Sequence, residues 1–270
     1  MRQIVSESPL ASDGTLVLAG KQARHLCTVL RVKSGDMLYV RLPDDVLQPM
    51  TVSAVDESAL QVVLSVAGEI STRVNNALPA QKADGPRLWL FQFVPKPVKM
   101  EQIVRQATEC GVEKIIPVAG SFCQKSALES VRKRSDGDNA RWNRIITEAM
   151  EQSGSAVHTQ VLPCVTVQEA CDLWNAQQKE SSLALCMYEQ SAGTVSLHQA
   201  VASKPKASLA ALAVGAEGGI APSEFSLLCE CGFTGVHFAT NILRCETAAL
   251  YGMAALQTAL RENTVWQYNA

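Results

Sequence analysis

The chain has 270 residues, 47% of them hydrophobic, with 24 Lys plus Arg against 26 Asp plus Glu and a formal net charge of -2. At about 150 residues per domain, this length implies two domains. With only 16 Gly and 11 Pro, the composition excludes collagen-like and low-complexity chains, and the near-zero total charge excludes a uniformly basic nucleic-acid binder.

The total hides a division along the chain. Residues 1–72 carry net -2, residues 73–86 net +1, residues 87–147 net +5 and residues 148–270 net -6. Arg132, Lys133, Arg134, Arg141 and Arg144 close the basic block. Such a block either serves an anionic partner or forms a solvated helix face. The nine cysteines are odd in number and contain no C-x-x-C spacing, so neither a disulfide framework nor a zinc site is expected. Cys229 and Cys231, two apart on an expected helix, read as one buried and one half-buried thiol. The N-terminus has no apolar signal core, and no apolar run approaches ~18 residues. A reducing, cytoplasmic, soluble protein is expected, with no metal and no membrane partner.

Residues 1–72 read as short strands, at 16–18, 37–41, 50–55 and 60–64, separated by turn residues and interrupted by a helical stretch from Lys21 to Leu30. Such a series suits a small barrel. Residues 73–86 have linker composition. From Arg87 the pattern becomes strand–helix alternation. Strands are expected at 88–94, 115–118, 183–187, 209–214 and 236–238. A helix carries Met100, Ile103, Val104 and Ala107 on one face and is capped by Gly111. A second carries Trp142, Ile145, Ile146, Ala149 and Met150. This alternation predicts an α/β domain with a mainly parallel sheet and helices on both faces. Trp89, Trp142 and Trp174 read as core or interface residues, and His158, His198 and His237 as structural.

Two loops that follow strands concentrate the chemistry. Gly215-Ala216-Glu217-Gly218-Gly219 precedes Pro222, which suits a helix start. Its glycines allow close backbone approach to a ligand. The loop is neither G-x-G-x-x-G nor a P-loop, which disfavours a dinucleotide or nucleotide-triphosphate site. The second loop, 238–249, places Arg244 and Glu246 at the start of the C-terminal helix. Glu246 suits the helix dipole there and Arg244 does not, so Arg244 is either a functional cation or a surface partner of Glu246.

Gly215-Ala216-Glu217-Gly218-Gly219 resembles the G-P-E-G-G loop of SPOUT-class methyltransferases, and Ile242-Leu243-Arg244-Cys245-Glu246-Thr247-Ala248 resembles their I-L-R-x-E-T-A motif. Lys99-Met100-Glu101, Glu109-Cys110-Gly111-Val112 with Ile116-Pro117, and Glu148-Ala149-Met150-Glu151-Gln152-Ser153-Gly154 are similar to further stretches of one family. So are Arg24-His25-Leu26, Val29-Leu30-Arg31-Val32 and Gly35-Asp36. Together they resemble the RsmE family of 16S rRNA uridine-N3 methyltransferases, across nearly the whole chain.

That resemblance implies a PUA-like RNA-binding β-barrel over 1–72, a linker over 73–86, and a SPOUT methyltransferase domain over 87–270 with a deep trefoil knot near its C-terminus. It also implies a homodimer, S-adenosylmethionine as cofactor, and 16S rRNA of the small ribosomal subunit as partner. The cofactor would be held by Leu185, Glu189, Gly215, Glu217, Gly218, Gly219, Phe238, Ile242 and Leu243. Arg244 and Glu246 would be catalytic, with Arg244 supplying positive charge and Glu246 orienting it or serving as base. Arg24, His25 and Arg31 would contact RNA. The chain departs from the family pattern at Ala216, where proline is usual, and at Phe122, Ser155 and Asn241, where arginine is usual. Three readings stay open at this level: an active rRNA methyltransferase, a weakened relative acting as an RNA-binding or assembly module, and an α/β enzyme on a small molecule.

Overall fold

The computed structural model describes residues 3–44, 46–56, 58–68, 85–135, 139–177 and 181–265. Most of the expected linker, residues 73–84, lies outside them. The chain divides into two compact units, Met1–Lys82 with Met150–Ala156, and Ala83–Ala149 with Val157–Ala270.

The first unit holds β1 (Gln3–Val5), β2 (Thr15–Ala19), β3 (Met37–Arg41), β4 (Leu47–Asp56) and β5 (Gln61–Val66), in the sheet order β1-β3-β4-β5-β2. All pairings are antiparallel except β1 with β3. Alternate positions Leu16, Leu18, Leu38, Val40, Met50, Val52, Val62 and Leu64 form its core, as period-two patterning requires. Between Val52 and Ala54 the register slips, a bulge that bends β4. The expected helix at 21–30 forms in two parts: α1 (Gly20–Arg24), then a π-helical turn over His25–Leu30. The turn ends at Arg31, whose backbone is left-handed at φ 50. Ala23 and Leu26 face the core, whereas Lys21, Arg24, His25 and Arg31 are exposed.

The second unit is a parallel sheet of β6 (Arg87–Phe93), β7 (Lys114–Ala119), β8 (Gln160–Val161), β9 (Val165–Thr166), β10 (Ser182–Met187), β11 (Leu209–Val214) and β12 (Phe233–Val236). Its order is β12-β10-β11-β6-β7-β8, with β9 also on β7. Its helices are α2 (Pro97–Glu109), α3 (Lys125–Ser135), α4 (Ala140–Ser153, of which the residues from Met150 on fall in the first unit), α5 (Val167–Asn175), α6 (Leu197–Ser203), α7 (Pro222–Glu230) and α8 (Cys245–Val265). On one face Trp89, Phe91, Trp174 and Phe233 stack edge-on or tilted, at centroid separations of 5.5 to 6.5 Å, in a cluster that α5 and α7 help to cover. On the other, α8 lies so close that a Cβ at Gly252 would collide with Met187 and Leu212. Both predicted helical stripes are buried.

Two expectations need correction. The last strand is Phe233–Val236, not 236–238. Its partner β10 ends at Met187, opposite Val236, and the His237 N–H bonds the Val195 carbonyl instead. Cys229 and Cys231 are both half-buried, because Cys231 caps α7 rather than continuing it. The short strands β1, β8 and β9 went unpredicted because two or three residues carry no readable period. All nine cysteines are free thiols. Among the described residues no helix is long and apolar enough to cross a membrane, and no group of three or more His, Cys, Asp or Glu is placed to hold a metal ion.

Candidate active site

In an open parallel sheet, ligands bind beyond the carboxyl ends of the strands. Here the loops leaving β10, β11 and β12, three adjacent strands, surround a cavity of about 520 Å3, within the usual range for small-molecule sites. Met187, Tyr188 and Glu189 come from the first loop, Gly215–Gly219 from the second, and His237, Phe238 and Thr240–Arg244 from the third. Lys99 enters from α2, which follows β6.

The glycine loop is shaped by contact. A Cβ at Gly215 would stand 2.7 Å from the Gly219 carbonyl carbon, and one at Gly218 would stand 2.9 Å from Phe122 Cβ. Gly219 alone of the three has positive φ (79), and its Cα faces the Glu189 carboxylate, 3.2 Å from where a Cβ would lie. The Gly219 N–H closes the turn on the Ala216 carbonyl at 3.0 Å, so Ala216 serves where proline is usual. Beneath the loop, the buried Gln92 amide donates from Nε2 to the carbonyls of Phe93, Val214 and Gly215 at 2.9, 3.3 and 3.2 Å. These bonds tie the loop's first residue to β6.

Lys99 links the second and third loops. Its Nζ lies 3.0 Å from Glu246 Oε2 and 3.5 Å from Glu217 Oε1. The Glu246 bond, more than the two other acidic neighbours, holds the ammonium above its ordinary pKa. Burial pushes the Glu246 carboxyl up, but its own backbone N–H, Lys99 and the Cys245 thiol outweigh that and hold it below the usual range. The Cys245 thiol, buried and bonded to Glu246, is pushed up to about 12 and is no nucleophile. The trio of Glu217, Lys99 and Glu246 thus carries one net negative charge.

A family model described as an RNA methyltransferase domain matches residues 83–257. The chain belongs to this family of RNA methyltransferases. It is 30% identical over 193 residues to ribosomal RNA small subunit methyltransferase E of Aquifex aeolicus, covering 68% of this chain and 72% of that protein. It is 25% identical over 258 residues to the Bacillus subtilis protein of the same name, covering 94% and 92%. The ribosomal RNA small subunit methyltransferase E of Neisseria gonorrhoeae, solved bound to S-adenosyl methionine, superposes with a TM-score of 0.74 at 25% identity, covering 96% of this chain and 97% of that one. The chain is therefore a member of the small-subunit methyltransferase E group, with the α/β methyltransferase fold and its mostly parallel sheet.

Within this methyltransferase, eight of the nine residues expected to hold the cofactor line the cavity. Leu185 does not. It lies in mid-strand, fully buried, and the strand's end presents Met187 and Tyr188 instead. Arg244 stands exposed at the rim, just ahead of α8, and its guanidinium enters none of the described ion pairs. Glu246 bonds Lys99 and Cys245 rather than Arg244. Of the +5 block, Arg134 and Arg141 both grip Glu101 at 2.7 Å, and Arg144 reaches Glu148 at 3.6 Å. Two of these guanidiniums share one carboxylate, and Lys125, Arg132 and Lys133 stay exposed, so the block keeps a net positive charge.

Lys99 is the residue to which sequence reading gave no role. A signal existed: it occupies the first turn of α2, where a cation opposes the helix dipole, the same test that singled out Arg244. Gln92 carried no signal, since a glutamine in an apolar strand reads only as an exception.

Proposed function

We propose that this methyltransferase transfers a methyl group from S-adenosylmethionine to N3 of a uridine in the 16S rRNA of the small ribosomal subunit. The observation that carries the reading is the composition of the cavity wall. A close-packed glycine loop and two carboxylates, Glu189 and Glu217, face the same space as Lys99 and Arg244. Carboxylates suit a ligand bearing an ammonium and a sulfonium, and glycines let backbone groups reach it. The residues present therefore fit the cofactor, and its presence in the Neisseria relative supports the assignment. When bound, the cofactor supplies an electrophilic methyl group on sulfur.

The chain's own residues have four tasks. The loops of β11 and β12 hold cofactor and base in one orientation, which lowers the entropic part of the barrier. Arg244, at the rim and outside the described ion pairs, is the cation available to the charge that spreads onto the uracil oxygens as the N3 proton leaves, while Lys99 is held by Glu246 and Glu217. Glu246 is a positioning residue. Its lowered pKa, and the bonds that Lys99 and the Cys245 thiol make to its Oε2, make it a poor base, so the proton goes to water. Arg24, His25 and Arg31, exposed around the π-helical turn, supply further RNA contact.

The names carried by the relatives support the small-subunit substrate. The reading includes a cytoplasmic homodimer, a PUA-like barrel for the first unit and a knotted C-terminal region, as the family resemblance implies. Exposed Ile242, Leu250 and Tyr251 beside the cavity support an apolar contact between copies. The test is labelled methyl transfer to small subunits that lack the modification, with the methylated base then mapped. Methyl-uridine at N3 is the expected product. Methylation at another atom, or cofactor binding without transfer, would refute the reading.

A further inference from the structure

The turn between β7 and α3 holds an aromatic residue out in solvent. Phe122 is 51% exposed, while every tryptophan among the described residues is buried. The turn is not loose. The Cys123 N–H closes it on the Gly120 carbonyl at 3.1 Å. The Ser121 N–H and hydroxyl both donate to Glu224 Oε1, at 2.6 and 2.8 Å. Glu224 is fixed in turn, since its other oxygen accepts the Ala221 N–H at the start of α7. Gly120 admits no side chain, because a Cβ there would run into the Phe93 ring. The turn is thus clamped to the segment that carries the glycine loop, and Phe122 rests directly on Gly218 of the cavity wall. Lys125, exposed and outside the described ion pairs, stands at the start of α3 three residues further on.

A rigidly held, half-exposed ring at the rim of a site, with an exposed cation nearby, is what binding of single-stranded RNA asks for. The ring offers a stacking face to any base, and the cation meets the backbone. We propose that Phe122 is the stacking platform for an unpaired base of the RNA substrate, next to the nucleotide that enters the cavity. The proposal rests on the rRNA methyltransferase reading above and adds to it a residue that sets RNA affinity without touching the cofactor. Ring stacking carries no counterion release, so this contact is little weakened by salt, in contrast to a phosphate contact made by an arginine.

The experiment compares wild type, Phe122→Ala and Phe122→Trp. On small subunits, Phe122→Ala should raise KM for the RNA about tenfold, the scale of one lost base–aromatic stack, with kcat and cofactor affinity by calorimetry unchanged. Phe122→Trp should restore the KM. The second readout needs no turnover: the extra tryptophan fluorescence of Phe122→Trp should be quenched by a short oligouridine. An unchanged KM in Phe122→Ala overturns the proposal, as does an added tryptophan blind to the oligonucleotide. If wild type transfers no methyl to small subunits, the function reading fails by itself, and the quenching still decides whether Phe122 stacks on RNA.

Discussion

Lys99 Nζ and Glu246 Oε2 are 3.0 Å apart, and through this bond the first turn of α2 is tied to the first turn of α8. The two residues come from opposite ends of the catalytic unit's sequence. Their meeting fixes where the chain enters α8 and so where Arg244 leaves the fold. Replacing Lys99 by Met removes the partner of a largely buried carboxylate and should lower methyl transfer by about tenfold or more, the scale of one charged hydrogen bond. Single-turnover transfer to small subunits measures this, and a variant as fast as wild type would show the pair to be structural only.

The same pair predicts a pH profile. Glu246 is depressed from 4.5, so its contribution to stability is present above the unfolded value and is lost as pH falls through the lower folded value. Lys99 is raised from 10.5, so its contribution is present below that value and is lost as pH rises through the higher folded one. The difference in thermal midpoint between wild type and Glu246→Gln should stay constant from mildly acidic to mildly alkaline pH and shrink only at the extremes. A step near neutrality would contradict the assignment.

Gly219 offers a backbone test. An alanine there is held at positive φ and set against the Glu189 carboxylate, at a cost of roughly 1–3 kcal/mol. Gly219→Ala should weaken S-adenosylmethionine binding by about tenfold, read by calorimetry, while a fold probe such as near-ultraviolet dichroism stays native. Gly215→Ala should do worse, because the obstruction is backbone that cannot swing aside.

Gln92 connects stability to the site. Gln92→Leu leaves the buried Val214 carbonyl and the half-buried Gly215 carbonyl without this donor, at roughly 1–3 kcal/mol for an unsatisfied buried group. A lower denaturation midpoint and weaker cofactor binding should appear together. Loss of stability with cofactor affinity intact would show that the loop is held by other means.

The sequence by itself determined the parallel sheet, because strands buried on both faces read as apolar runs and the helices between them carry a 3.6-residue stripe. It also placed the glycines and charged residues directly after strands, at the one edge where an open sheet accepts a ligand, and these loops line the cavity. What it left undecided were pairings. An anion site and a solvated helix face were both compatible with the basic block; Arg134 and Arg141 in fact share Glu101, and that depends on how α2 packs beside α3 and α4. Glu246 stood two residues from Arg244 and was read as its partner, but in the first turn of a helix such neighbours point apart, and Glu246 turns to Lys99 instead. Local patterning decides which segments are helix, strand or loop. Which charges are neutralised, and which are left facing a ligand, is decided by contacts between residues far apart in the chain, and only the tertiary structure brings them together. The net charge of -2 belongs to the first kind of knowledge, and the exposed guanidinium of Arg244, outside the ion pairs of the described residues, to the second.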